Sequence, residues 1–246
     1  MLKNYEQIFD KFCYYTNSIY FCYLKLIEFR KNMEIICVEA GPIMTNCYIL
    51  ADYNNSTAII VDVAFESADA LFEILNKENL RLEGVILTHS HWDHSGDAKL
   101  IYDKTGAEIM IHKEDEYRLL NPNEHVVFEI PWKLESIKPH RYLKHLDKLT
   151  FGDNEFEVRH TPGHTEGSIS LINHKEKQVF AGDTLFNSSI GRTDLPGGSY
   201  EKLIRSISEQ LMILPDDYQV FPGHGPKTTI GFEKQYNPFL INDLQM

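Results

Sequence analysis

The chain has 246 residues, 43% of them hydrophobic, which is enough to bury the core of one large α/β domain. Its 36 acidic residues outnumber 24 Lys and Arg, and a formal net charge of -12 repels phosphate backbones, so nucleic acid is not expected as a partner. The four cysteines, Cys13, Cys22, Cys37 and Cys47, include no C-x-x-C pair, which excludes a zinc knuckle and a disulfide framework and makes a reducing cytoplasm the expected location.

Residues 1–32 read as an N-terminal helical extension ending in the polar run Glu28-Phe29-Arg30-Lys31-Asn32. Its aromatic stretch from Phe12 to Ile27 is interrupted by Thr16, Asn17, Ser18 and Lys25. It falls short of a membrane span of about 20 apolar residues and lacks a cleavable signal pattern, so no membrane association is expected. A domain over 33–246 follows, opening with strands at Glu34 to Val38, Cys47 to Leu50 and Thr57 to Val61, separated by turn residues. Ala68, Leu71, Phe72 and Leu75 then recur at helical spacing between Ser67 and Asn76. A buried strand is predicted at Val85 to Leu87, a helix from Asp97 to Lys104, a strand at Glu108 to Ile111 and a charged helix from Lys113 to Leu120. Asn121 to Leu149 reads as an irregular excursion. Strands at Glu155 to Arg159, Ser168 to Ile172 and Gln178 to Phe180 precede a helix from Tyr200 to Leu214, a strand at Gln219 to Phe221 and a helix from Phe232 to Leu240. Alternating strands and helices give an α/β fold class.

Thr88-His89-Ser90-His91-Trp92-Asp93-His94 follows the strand ending at Leu87. Four ligand-type side chains in so short a run crowd one tetrahedral ion but suit two neighbouring ions. Three more segments share the order strand, small residue, ligand: Pro162-Gly163-His164, Ala181-Gly182-Asp183 and Pro222-Gly223-His224. Glycine lets the chain bend and approach an ion closely, and strand ends of an α/β sheet commonly gather at one edge. His164, His224 or Asp183 alone would read as a turn, core or cap residue. With the His89 to His94 cluster they make a donor set for two divalent ions, zinc first, with iron or manganese also compatible.

The H-x-H-x-D-H motif followed by separate His, Asp and His residues resembles the metallo-beta-lactamase superfamily, whose fold is an αββα sandwich, over about Met33 to the C-terminus. Gly182-Asp183-Thr184-Leu185-Phe186 and Gly191-Arg192-Thr193-Asp194-Leu195-Pro196-Gly197-Gly198 resemble its glyoxalase II-like branch. That resemblance implies one metal on His89, His91 and His164, a second on Asp93, His94 and His224, and Asp183 shared between them. Asp62 matches the family's early aspartate, a brace for the ligand loop, although Val63-Ala64 stand where the family carries a glycine-bearing turn.

Two adjacent cations would bring a bridging water to hydroxide near neutral pH, with Asp93 orienting it and Asp183 holding both ions. A thiolate, titrating near ~8.5, leaves without a dedicated acid, so a small acyl thioester is the expected substrate. Arg192 is the candidate anchor for a substrate carboxylate, against the alternative of an ion pair with Asp194. Only Lys227 and Lys234 supply positive charge beyond His224, which argues against glutathione specificity. The Gly-Arg-Thr-Asp run also resembles persulfide dioxygenases, which hold one iron at positions matching His89, His164 and Asp183. Beta-lactam hydrolysis is the weaker reading, because Asp183 stands where the zinc-thiolate branch carries cysteine. A non-catalytic metal-binding protein is the remaining alternative, disfavoured because seven ligands on two ions leave coordination positions open. Oligomeric state is not read from the sequence.

Overall fold

The computed structural model describes residues 33–126, 130 and 132–241; the extension expected over 1–32 lies outside them, as do Cys13 and Cys22. Three strands open the chain, β1 (Glu34–Ala40), β2 (Thr45–Asp52) and β3 (Thr57–Val61), paired antiparallel in sequence order. After helix α1 (Ala68–Lys77) the chain crosses to β4 (Arg81–Ile86), which runs parallel to β3. The short helix α2 (Trp92–Ser95) and α3 (Ala98–Thr105) lead to β5 (Glu108–His112), parallel to β4. A 3-10 turn (Lys113–Asp115) and α4 (Glu116–Leu120) follow, and β6 (Arg141–Leu143) closes a six-stranded sheet ordered β1 to β6.

The second sheet is built from β7 (Lys148–Phe151), β8 (Asn154–His160), β9 (Ile169–Asn173), β10 (Gln178–Gly182), β13 (Gln219–Pro222) and β14 (Thr228–Thr229). Its order is β14-β13-β10-β9-β8-β7, antiparallel except for β10 with β13. Between β10 and β13 lie a two-residue ladder, β11 (Leu185–Phe186) with β12 (Ser189–Ile190), and α5 (Tyr200–Ser206) continuing into a π turn (Ile207–Leu211). The last described helix is α6 (Ile230–Tyr236).

Side-chain alternation explains the layering. Along β2, Cys47, Ile49 and Ala51 pack with Leu71 and Leu75 of α1 and Ile101 of α3, whereas Tyr48 and Leu50 meet Phe156, Phe180 and Phe221 of the second sheet. Every residue of β2 is buried, as expected of a strand covered on both faces. The outer face of the second sheet, Ile172, Val179 and Val220, is covered by Leu203, Ile207 and Ile230. The layers are helix, sheet, sheet, helix, which is the αββα sandwich expected above. No helix among the described residues is long and apolar enough to cross a membrane.

Three expectations need correction. Residues Asn121 to Leu149 are not wholly irregular: they hold a 3-10 turn at Pro122–Glu124, the edge strand β6, and the start of β7. The segment is pinned by Asn123, whose Nδ2 donates to Leu134 O at 2.7 Å and whose Oδ1 accepts from Leu134 N at 2.9 Å, and by Trp132 stacked on Phe65. The helix predicted from Tyr200 to Leu214 stops being α at Ser206. Leu203, Ile207 and Leu211 are all fully buried, and the wider π turn, with Met212 N donating to Ile207 O at 2.9 Å, keeps residues four apart on one side. The final helix starts at Ile230, where Thr229 Oγ1 accepts from Phe232 N, and ends at Tyr236.

Candidate metal centre

All seven sequence-predicted donors converge at one edge of the sandwich, on the loops leaving β4, β8, β10 and β13. His89, His91 and His164 form one cluster of nitrogen donors, and Asp93, His94 and His224 a second. Asp183 reaches both: Oδ2 lies 3.5 Å from His164 Nε2 and 3.6 Å from His224 Nε2, and Oδ1 lies 3.2 Å from His94 Nε2. His91 Nδ1 and His164 Nε2 face each other at 2.8 Å, and Asp93 Oδ2 sits 3.3 Å from His94 Nε2 and 3.2 Å from His224 Nε2.

The backbone explains how so many donors fit. The chain bends at Thr88 and His89 after β4, His91 is extended, and the one-turn helix α2 then presents Asp93 and His94. Gly182 has φ +49 and sits against Thr88, where a Cβ would lie 2.4 Å from the Thr88 hydroxyl. A Cβ on Gly223 would lie 2.2 Å from Asp183 Oδ1 and 2.6 Å from His94 Cε1, so only glycine lets the His224 loop pass beside both side chains.

Outer partners fix the rings. Asp62 is fully buried, accepts from Thr88 N and Thr88 Oγ1 at 2.7 Å each, and lies 2.8 Å from His94 Nδ1. It therefore braces the ligand loop and turns His94 Nε2 inward. Its own φ is +60, a conformation that aspartate tolerates better than a branched residue would. His164 Nδ1 lies 2.8 Å from Arg192 O, and His224 Nδ1 lies 3.3 Å from Met44 O.

Sequence reasoning missed two further braces. Asp115, completely buried, accepts from Ser90 N (2.7 Å), Ser90 Oγ (2.9 Å) and Thr165 Oγ1 (3.0 Å) on one oxygen, and from Gly167 N (2.7 Å) and Arg118 Nη1 (3.3 Å) on the other. It bolts the residue before His91 to the residue after His164. Asn46 holds the His224 loop, with Nδ2 donating to Pro222 O (3.0 Å) and Gly225 O (2.9 Å) and its backbone N to Gly223 O (2.7 Å). Tyr48 adds a 2.7 Å bond to Pro222 O.

The donor chemistry fits divalent ions. Among the described residues His89 Nε2 is buried without a hydrogen bond, and so is Asp183 Oδ1 despite its closeness to His94. Such atoms are costly to bury unless an unlike charge meets them. Burial and then the surrounding histidines hold His89 well below its ordinary range, and burial and then His164 hold His91 down to about 3, so both are neutral at pH 7 with lone pairs to give. Burial would raise Asp93 and Asp183, but the facing histidines prevail, leaving Asp93 well below the carboxylate range and Asp183 at about 2. Burial opposes the rise of His94 and His224, yet the carboxylates around them push both upward, so a bound cation competes there with a proton.

A cavity of about 660 Å³ opens onto this edge, with Asp93, His164, Asp183 and His224 on its floor and Ile43, Trp92, Phe186 and Leu195 on its walls. That volume is ample for a small organic substrate. Arg192 lies on the rim, exposed, with Nε and Nη2 each donating to an Asp194 carboxylate oxygen at 2.7 Å. Lys234, by contrast, bonds Leu214 O and Asp216 away from the cavity.

Residues 40–224 match the family profile described as the metallo-beta-lactamase superfamily. The chain is 39% identical over 212 residues to a protein of Haemophilus influenzae named hydroxyacylglutathione hydrolase GloC, covering 85% of this chain and 98% of that one. Among solved structures it is similar to the BLEG-1 B3 metallo-beta-lactamase, at 37% identity and TM-score 0.77 over 84% of this chain and 99% of that one. It is also similar to TTHA1623 in a di-iron-bound form, at 30% identity and TM-score 0.73 over 83% of this chain and all (100%) of that chain. The sandwich, the strand-end donors and these matches agree, and the chain belongs to the metallo-beta-lactamase superfamily, whose members are generally metal-dependent hydrolases.

Proposed function

We propose that the protein is a binuclear metal-dependent hydrolase of small acyl thioesters. The observation that carries this reading is Asp183, a carboxylate on the cavity floor within reach of both donor clusters, which suits it to hold two ions together. His89, His91 and His164 would hold one ion and Asp93, His94 and His224 the other, zinc being the first expectation and iron being supported by the di-iron form of TTHA1623. When bound, the pair would supply an activated water and polarise a substrate carbonyl.

The protein's own residues do the remaining work. Asp93 stays ionised on the cavity floor, where its carboxylate is placed to accept a hydrogen bond from a water and so orient it. Thr45 Oγ1, donating to Asp93 Oδ2 at 3.5 Å, steadies that carboxylate. The apolar wall formed by Trp92, Phe186 and Leu195 accepts an acyl chain and excludes bulk water from the carbonyl. A thiolate departs without protonation, which matches a floor whose groups are all committed as ligands or braces.

Arg192 remains the proposed anchor, with one refinement: to grip a substrate carboxylate it must exchange its bidentate contact with Asp194. The relative named hydroxyacylglutathione hydrolase supports the thioester class, while the position of Lys234 gives no reason to require glutathione. The similarity to a B3 metallo-beta-lactamase calls for a beta-lactam in the same assay, Asp183 notwithstanding. The test is a panel of acyl thioesters, lactones, beta-lactams and a glutathione persulfide, with oxygen uptake followed for the last. Thioester turnover at least about a hundredfold above the others is expected. Oxygen consumption with the persulfide and no hydrolysis would replace this reading with the mononuclear-iron dioxygenase.

A further inference from the structure

A second group of ligand-type side chains lies outside the central site, where the ends of β5 and β8 meet. His112 and His160 stack face to face with ring centroids 4.0 Å apart and planes 14° apart. Glu114 Oε2 lies 3.7 Å from His160 Nε2, and one donor atom from each of the three residues falls within 4.8 Å of the others. His112 ends a strand of the first sheet and His160 a strand of the second, so this contact joins the two sheets through side chains alone.

We propose that His112, Glu114 and His160 form a separate, exchangeable site for one divalent transition-metal ion, with zinc as the test case. Two imidazoles and a carboxylate are a donor set that suits zinc, copper or nickel rather than calcium or magnesium. A cavity of about 500 Å³ lined by Glu114, His145, His160 and Glu166 opens beside the cluster, leaving room for waters to complete the coordination.

The geometry also sets the rank of this site below the central one. His112 Nδ1 accepts from Glu114 N at 3.3 Å, His160 Nε2 donates to Glu166 O at 2.9 Å, and the two rings lie nearly parallel, so capturing an ion requires one ring to turn out of the stack and exchanges these local contacts for coordination. Glu114 is exposed and must be ordered as it binds. An ion held there would clamp β5 to β8, three residues before Asp115 on one side and four before His164 on the other.

The test uses the full chain with its tightly held metal in place. Zinc is added in a calorimetric titration and in parallel thermal unfolding, for the wild type, His160→Gln and Glu114→Gln. The wild type should take up one further equivalent that raises Tm, and each variant should bind that equivalent at least about tenfold more weakly with its tightly held metal content unchanged. Glu114 is exposed, so its variant keeps the fold and isolates ligation from stability. No further equivalent in the wild type, or equal uptake by the wild type and both variants, overturns the proposal.

Discussion

Replacing Asp115 with asparagine changes one buried atom and tests whether a residue that touches no donor directly holds the metal loops together. One carboxylate oxygen accepts from Ser90 N, Ser90 Oγ and Thr165 Oγ1, and the other from Gly167 N and Arg118 Nη1. An amide can keep its oxygen on only one of these sides. If the oxygen faces Ser90, the NH2 group meets the Gly167 N–H and the Arg118 guanidinium; if it is flipped, the NH2 group meets the Ser90 N–H. Either way one buried backbone N–H loses its acceptor, at about 1–3 kcal/mol, and the charge beside Arg118 is lost as well. A destabilisation of about 2–4 kcal/mol is expected in urea unfolding of the metal-free protein. His91 and His164 flank the bonded residues, so metal retention against a chelator should weaken by roughly ten- to a hundredfold. Unchanged stability together with unchanged retention would refute the view of Asp115 as the bolt between the two loops.

Gly223→Ala would place a Cβ 2.2 Å from Asp183 Oδ1 and 2.6 Å from His94 Cε1, so metal content and activity should fall by roughly a hundredfold while circular dichroism stays native; a fully loaded variant would contradict the packing argument. Arg192→Ala should raise KM for a carboxylate-bearing thioester about tenfold with kcat little changed, and a fall in kcat at constant KM would remove Arg192 from the anchor role. The metal-free protein should lose stability as pH falls from about 6.5 towards 3, because unfolding lets the buried neutral His91, held at about 3, take up a proton. The slope is on the order of 1.4 kcal/mol per pH unit for each such histidine. In that window His94 and His224, whose folded values are raised, are protonated folded and unfolded alike and cancel, so a flat urea-unfolding profile between pH 6.5 and 4 would contradict the assignment.

Legibility in the sequence followed the distance over which information had to travel. His89 to His94 announced themselves because one strand end and one short turn carry the whole group, and His164, Asp183 and His224 because each follows a strand and a small residue. Asp115 and Asn46 were invisible because their partners lie at Ser90, Thr165 and Gly167, and at Pro222 and Gly225, which only the folded chain brings near. The edge strand β6 escaped for a similar reason: three residues show no period, and their pairing with Met110 to His112 is parallel and non-local. The break at Ser206 was hidden because a spacing of four, from Leu203 through Ile207 to Leu211, looks helical whether the turn is α or π. For Arg192 the sequence offered a substrate anchor or a pairing with Asp194, but not the backbone carbonyl that orients His164.

The central claim is that hydrolysis depends on two ions held by one shared carboxylate. The most direct measurement strips the protein of metal, restores it in steps, and follows bound metal and thioester turnover on the same samples. The account predicts no turnover without metal, full turnover at about two tightly held ions per chain, and loss of both in Asp183→Ala with the fold kept. Full thioesterase activity in the metal-free protein would contradict it.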